Sequence, residues 1–178
     1  MSIAARCNRR SFLAAAGSLI VGSRVAHAVG AEVRRISFVH THTGESLSTV
    51  YYENGAYVAG ALQKVAHFLR DFRTEEEHTI DPPLLDYLVD LRNLAGFDAP
   101  YQVISGYRSP RTNAALRSRS SGVAEHSLHI EGRAIDVRIE DFPTDRLHEF
   151  ALKMRRGGVG FYPSSNFVHL DTGRVRFW

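Results

Sequence analysis

Apolar and polar positions alternate over residues 35–39 and again over 47–52, and the apolar ones are mostly β-branched or aromatic. Thr43-Gly44 lies between the two runs, so the pattern predicts a β-hairpin. The period then changes. Leu62, Val65, Phe68, Leu69 and Phe72 recur at helical spacing, and Leu84, Leu88, Leu91 and Leu94 form a second helical stripe after Asp81-Pro82-Pro83, closed by Gly96. Both stripes predict helices that face a core. Glu75-Glu76-Glu77 between them reads as a solvated loop, because three adjacent carboxylates cannot all converge on one ion.

Residues 101–104 read as a buried strand leading into Ser105-Gly106-Tyr107-Arg108, and Ser109-Pro110 has the chemistry of a helix cap and first turn. Residues 134–139 are again strand-like, 144–155 helical, and 159–162, 167–170 and 174–177 are short strands. Helices come first and strands cluster later. That order predicts an α+β domain, a mainly antiparallel sheet with flanking helices, rather than regular βαβ alternation.

The first 28 residues have a different character. Arg9-Arg10 stand before Phe12-Leu13, an uncharged apolar run covers 12–22, and Ala26-His27-Ala28 supplies small residues for cleavage. This resembles a twin-arginine export signal. A run of 11 residues is too short to cross a hydrocarbon core of about 30 Å as a helix, so no membrane anchor is expected once the signal is cut. The expected organisation is a signal over 1–28 and one domain over 29–178, delivered to the periplasm or cell envelope.

The signal also explains the charge. The chain carries 22 basic and 19 acidic residues, net +3, but Arg6, Arg9, Arg10 and Arg24 lie before residue 29 with no acid among them. The remainder holds 18 basic against 19 acidic residues, net −1, which gives no electrostatic reason to expect nucleic acid as a partner. The single cysteine, Cys7, falls inside the signal. The exported domain therefore has no thiolate, and a metal site in it must use imidazoles and carboxylates.

The chemistry concentrates in two places. His129 and Asp136 stand seven residues apart across Gly132, whose freedom in φ allows a turn that folds both side chains onto one point. Ala134 is small enough for close backbone approach. His169, in Phe167-Val168-His169-Leu170-Asp171, offers a second imidazole on a predicted strand. Two histidines and one carboxylate, with a fourth position left for water, is the donor set of catalytic rather than structural zinc.

Ser127-Leu128-His129-Ile130-Glu131-Gly132-Arg133-Ala134-Ile135-Asp136 matches a spaced S-x-H-x-x-G-x-A-x-D pattern, and Ser105-Gly106-Tyr107-Arg108-Ser109 an S-x-x-R-S segment. In these features the chain resembles the D-Ala-D-Ala carboxypeptidase-like zinc peptidases, whose fold is shared with the zinc domain of hedgehog proteins. It is most similar to their murein endopeptidase K group, from about residue 35 to the end. The resemblance implies Zn2+ held by His129, Asp136 and His169. It also implies that Arg108 binds substrate and steadies charge on the scissile carbonyl oxygen, a task for a permanently protonated planar donor.

One position departs from the dipeptidase relatives, which carry Glu or Asp three residues before the last ligand. Here that position is Asn166, whose amide cannot accept and hand on a proton. Asp171 shares a strand face with His169 and is expected either to act as the base or to orient a histidine, with His126 and Glu125 as other candidates. Capping the Thr172-Gly173 turn is the plain structural alternative for Asp171. Ser127 can cap a turn before His129. His40, His42, His67, His78 and His148 match no motif position and are expected on the surface or in packing.

The resemblance implies a monomeric peptidoglycan endopeptidase that hydrolyses peptide cross-links. A D,D- or L,D-carboxypeptidase trimming stem peptides is one alternative, and a non-catalytic zinc-containing wall-binding domain is another.

Overall fold

The computed structural model describes residues 32–120 and 122–178, and the export segment read over 1–28 lies outside them. Strand β1 (Arg34–His40) pairs antiparallel with β2 (Ser46–Glu53). The expected hairpin turn is closed by Gly44 N donating to His40 O at 2.9 Å, with Gly44 at φ +74°. A two-residue strand the pattern did not reveal, β3 (Ala56–Tyr57), folds back on β2 across Asn54-Gly55.

Helix α1 (Ala59–Phe68) is shorter than its apolar stripe. The Arg70 guanidinium caps the His67 carbonyl at 3.0 Å, and an Asp71 to Glu76 bridge turns the chain away. Leu69 still enters the core, whereas Phe72 leaves the helix and stacks on His42 with centroids 4.3 Å apart. Helix α2 (Pro82–Ala95) starts on its prolines and ends with Gly96 in the left-handed conformation. Leu84, Leu85, Leu88 and Leu91 of α2 are fully buried, each contributing about 1.5–3 kcal/mol, while Leu94 at the stripe's end is exposed. The three glutamates lie in the exposed turn between these helices, where Glu75 pairs with Arg70 and Glu77 with His67.

After β4 (Tyr101–Ser105), helix α3 (Pro110–Arg117) begins under a Ser109 cap whose Oγ accepts from Thr112 N at 3.2 Å. The remaining elements are β5 (Ala134–Ile139), α4 (Thr144–Met154), β6 (Gly158–Tyr162), a 3-10 turn (Pro163–Ser165), β7 (Phe167–Asp171) and β8 (Arg176–Phe177). All eight strands form one sheet in the order β3-β2-β1-β4-β5-β7-β6-β8.

The fold is α+β as expected, but the sheet is mixed rather than mainly antiparallel. β1 pairs with β4 in parallel, and so does β6 with β8. The first parallel pair follows from the α1 and α2 crossover, which carries the chain back so that β4 runs alongside β1 in the same sense. Periodicity reveals a strand but not its direction.

Alternation along the central strands separates two faces. Ile135, Val137 and Ile139 of β5 and Val168 and Leu170 of β7 join the core with residues of α1, α2 and α4. Asp136 and His169 alternate with these core residues and so lie on the opposite face. No helix among the described residues is long and apolar enough to cross a membrane.

Candidate metal centre

The antiparallel register of β5 and β7 sets Asp136 directly opposite His169. His129 arrives from the loop before β5, where Ser127 Oγ accepts from His129 N at 3.4 Å and Gly132 turns the chain at φ +66°. A Cβ on Gly132 would stand 2.0 Å from Thr79 O, so the turn admits only glycine for space as well as conformation. These contacts bring His129, Asp136 and His169 together, all buried, with one donor atom from each within 4.8 Å of the others.

The distances identify the donor atoms. His129 Nε2 lies 3.2 Å from His169 Nδ1 and 3.3 Å from Asp136 Oδ1, and His169 Nδ1 lies 2.9 Å from Asp136 Oδ1. The outward ring nitrogens are committed elsewhere. His129 Nδ1 donates to Gly106 O at 2.7 Å, and His169 Nε2 donates to Asp171 Oδ2 at 2.9 Å. Both partners are acceptors, so those nitrogens carry the hydrogens and the inward nitrogens present lone pairs. Two imidazole nitrogens and a carboxylate oxygen converging on one point are satisfied by a shared proton or a shared cation, and this nitrogen and oxygen set suits a divalent metal.

Electrostatics agree for two of the three groups; at His169 burial lowers the pKa but Asp136 and Asp171 raise it overall, so a metal there has to displace a proton. Burial pushes the His129 pKa down, and the Arg108 and His169 charges add to this against Asp136. Burial alone would raise the Asp136 carboxyl, but His129, His169 and Arg108 together hold it well below the usual carboxylate range. His129 is thus neutral and Asp136 ionised, the forms in which each ligates.

Arg108 spans the other side of Asp136. Its Nη2 pairs with Asp136 Oδ2, its Nε donates to Ser105 Oγ at 2.9 Å, and its backbone N donates to His129 O at 3.2 Å. One carboxylate therefore offers Oδ1 to the histidines and Oδ2 to the guanidinium.

Asp171 is completely buried beneath His169. Its Oδ1 accepts from Gly158 N at 2.9 Å and Gly173 N at 2.8 Å, and its Oδ2 accepts from Arg176 Nη2 at 2.7 Å as well as from His169. Burial would raise this carboxyl, yet the hydrogen bonds from His169, Arg176 and the two backbone amides hold it far below the normal value. With every lone-pair direction engaged and no cleft surface, Asp171 has the geometry of an orienting group that also caps the Gly173 turn.

The trio opens onto a cleft of about 440 Å3. His126 lines it, exposed, while Glu125 points away to pair with Arg117 at 3.2 Å. The Asn166 side chain bonds Thr144 Oγ1 and takes no part in the cleft. Of the histidines outside the motifs, His42 lines the cleft as well as packing on Phe72. His40 is buried, His78 stacks on Tyr107 and His148 on Phe161.

Sequence reasoning missed three contributors. Arg176 holds Asp171, Trp178 lies with its ring 5.2 Å from that of His169, and Gly160 provides the space the indole occupies. Gly160 stands opposite His169 in the β6–β7 register, and a glycine inside the strand run Val159-Gly160-Phe161-Tyr162 was the one available signal.

The comparisons with known proteins point the same way. A family model described as "Peptidoglycan L,D-endopeptidase MepK" matches residues 28–178. The chain is 46% identical to peptidoglycan L,D-endopeptidase MepK of Escherichia coli (strain K12), over 82% of this chain and 80% of that protein. It is 39% identical to the probable peptidoglycan L,D-endopeptidase MepK of Haemophilus influenzae, over 96% of this chain and 95% of that protein. With its whole described domain inside the matched region, the chain belongs to the MepK peptidoglycan L,D-endopeptidase family of peptidases.

Proposed function

We propose that this protein is a zinc-dependent peptidoglycan endopeptidase that hydrolyses peptide cross-links of the cell wall. The observation that carries this reading is the convergence of His129 Nε2, His169 Nδ1 and Asp136 Oδ1 on one point at an open cleft. Family membership supports the substrate class. Zinc is favoured over harder divalent ions because two of the three donors are imidazoles.

When bound, the metal supplies Lewis-acid polarisation of the scissile carbonyl and makes a water molecule more acidic. The chain's own residues do the rest. Arg108, fixed by Ser105 and Asp136, directs guanidinium hydrogens toward the cleft and stabilises negative charge on the carbonyl oxygen. We assign to His126 the task of accepting a proton and returning it to the leaving amine, an assignment supported by its exposed position on the cleft wall. Asp171 keeps the His169 ring in the tautomer that ligates through Nδ1. The protein acts as a monomer in the periplasm after export through the twin-arginine route, with Val29 as the first residue of the exported form.

Incubation with purified muropeptide dimers, with products read by mass, tests the reading. An endopeptidase splits dimers into monomers, a carboxypeptidase releases one terminal residue, and a wall-binding domain leaves the dimers intact. A chelator should abolish cleavage and zinc should restore it. Release of single residues alone would replace the endopeptidase reading.

Asp171→Asn separates the two roles considered for this residue. The amide cannot accept from His169, Arg176 and two backbone amides together, so metal affinity should fall about 10- to 100-fold, the usual effect of losing an orienting partner. Full metal retention with turnover reduced by about two orders of magnitude or more would make Asp171 the base instead. Unchanged metal content and turnover would remove it from the mechanism.

A further inference from the structure

Three guanidinium groups stand on the cleft wall, and two of them are ion-paired. Asp136 is the only side-chain carboxylate among its described lining residues, and it is paired with Arg108. Arg176, a second cation on the wall, is paired with Asp171. The third is Arg73, and its guanidinium has no carboxylate partner among the described residues. Arg73 is therefore the one guanidinium of the cleft wall that makes no ion pair among the described residues, although the Asp71 charge acts on it.

Arg73 is also held in place. Its Cζ lies 4.1 Å from the centroid of the Phe72 ring, over its face, and Phe72 is stacked on His42. Stacking of this kind restrains a long side chain and leaves the guanidinium edge free for a planar acceptor. Its backbone N donates to Asp71 Oδ1 at 3.0 Å. The other oxygen of Asp71 accepts from Ser109 N at 2.9 Å and Ser109 Oγ at 2.7 Å. A single carboxylate, 1% exposed, thus clamps the Arg73 turn to the residue next to Arg108. The two cations are near enough that the Arg108 charge, after burial, lowers the Arg73 pKa against the pull of Asp71. A guanidinium nevertheless stays protonated at any physiological pH.

We propose that Arg73 is a specificity-determining residue that binds a free carboxylate of the peptide substrate, flanking the scissile amide on the side held by Arg108. The substrate class follows as an acidic peptide, one that keeps an unamidated carboxylate beside the bond to be cut. A neutral peptide would leave the unpaired cation without a partner. The inference rests on the endopeptidase reading for the identity of the bond, but the carboxylate preference is measurable without turnover.

The test uses a stem peptide with free carboxylates and the same peptide with every carboxylate amidated, titrated calorimetrically into the metal-loaded protein and its Arg73→Ala and Arg73→Lys variants. The native protein should bind the free acid about tenfold more tightly than the amide, the scale of one charge-assisted contact. Arg73→Ala should bind both alike, and Arg73→Lys should recover part of the preference. Because Arg73 is exposed, neither variant is expected to unfold. With muropeptide dimers, Arg73→Ala should raise KM by a similar factor and change kcat less than about twofold, as for loss of uniform binding. A preference that survives in Arg73→Ala, or is absent in the native protein, overturns the proposal. If the preference is present and Arg73-dependent but no dimer is cleaved, the anchor stands and the endopeptidase reading fails.

Discussion

A His169→Ala protein is expected to purify folded, without stoichiometric metal, and with kcat/KM lowered at least about a thousandfold, since metal assistance supplies several kcal/mol of transition-state stabilisation. His169 is the most informative ligand to remove because its neighbours remain satisfied. Asp171 would still accept from Arg176, Gly158 and Gly173, and Asp136 would still pair with Arg108. Removing Asp136 instead would strand Arg108 at the edge of the site, so a loss of activity there would mix metal loss with an unpaired charge. Elemental analysis gives the decisive number. Full occupancy in His169→Ala would refute the three-residue assignment.

Arg108→Lys is expected to keep its metal and lose about 10²- to 10³-fold in kcat, the range seen when a preorganised donor to a developing oxyanion is removed. Lysine preserves the charge but not the fork. The guanidinium reaches Ser105 Oγ through Nε while Nη2 holds Asp136, and a single ammonium cannot keep both bonds and still face the cleft. Retention of metal distinguishes this variant from the ligand substitutions. A kcat within about threefold of the native protein would leave Arg108 as a structural partner of Asp136 and nothing more.

Among the candidate site residues, geometry divides what sequence could only group. His126 and Glu125 are adjacent in the chain, yet one faces the cleft and the other pairs with Arg117 on the outside. Asn166, the position that departs from the dipeptidase pattern, sits at φ +51° after a 3-10 turn with its side chain on Thr144, so strand-face arithmetic does not apply to it. His42 reads as a surface or packing residue and does pack, but on the residue that restrains Arg73 and at the cleft wall.

Local chemistry was legible in the sequence because its causes lie within a few residues. Alternation determined β1 and β2, the Pro-Pro start and the Gly96 stop determined α2, and Ser109-Pro110 determined the start of α3, each through backbone preferences that need no distant partner. His129 and Asp136 could be joined because Gly132 lies between them. What depends on strand neighbours was decided only by the tertiary structure. The parallel pairing of β1 with β4 required the helical crossover, and Asp136 meets His169 because β7 lies beside β5 in one register among several that the same alternation permits. Asp71, far from the motif in sequence, joins Arg73 to Ser109 only once the turn after α1 packs against the start of α3. A side chain's period tells which face it occupies, but only the folded sheet determines what else occupies that face.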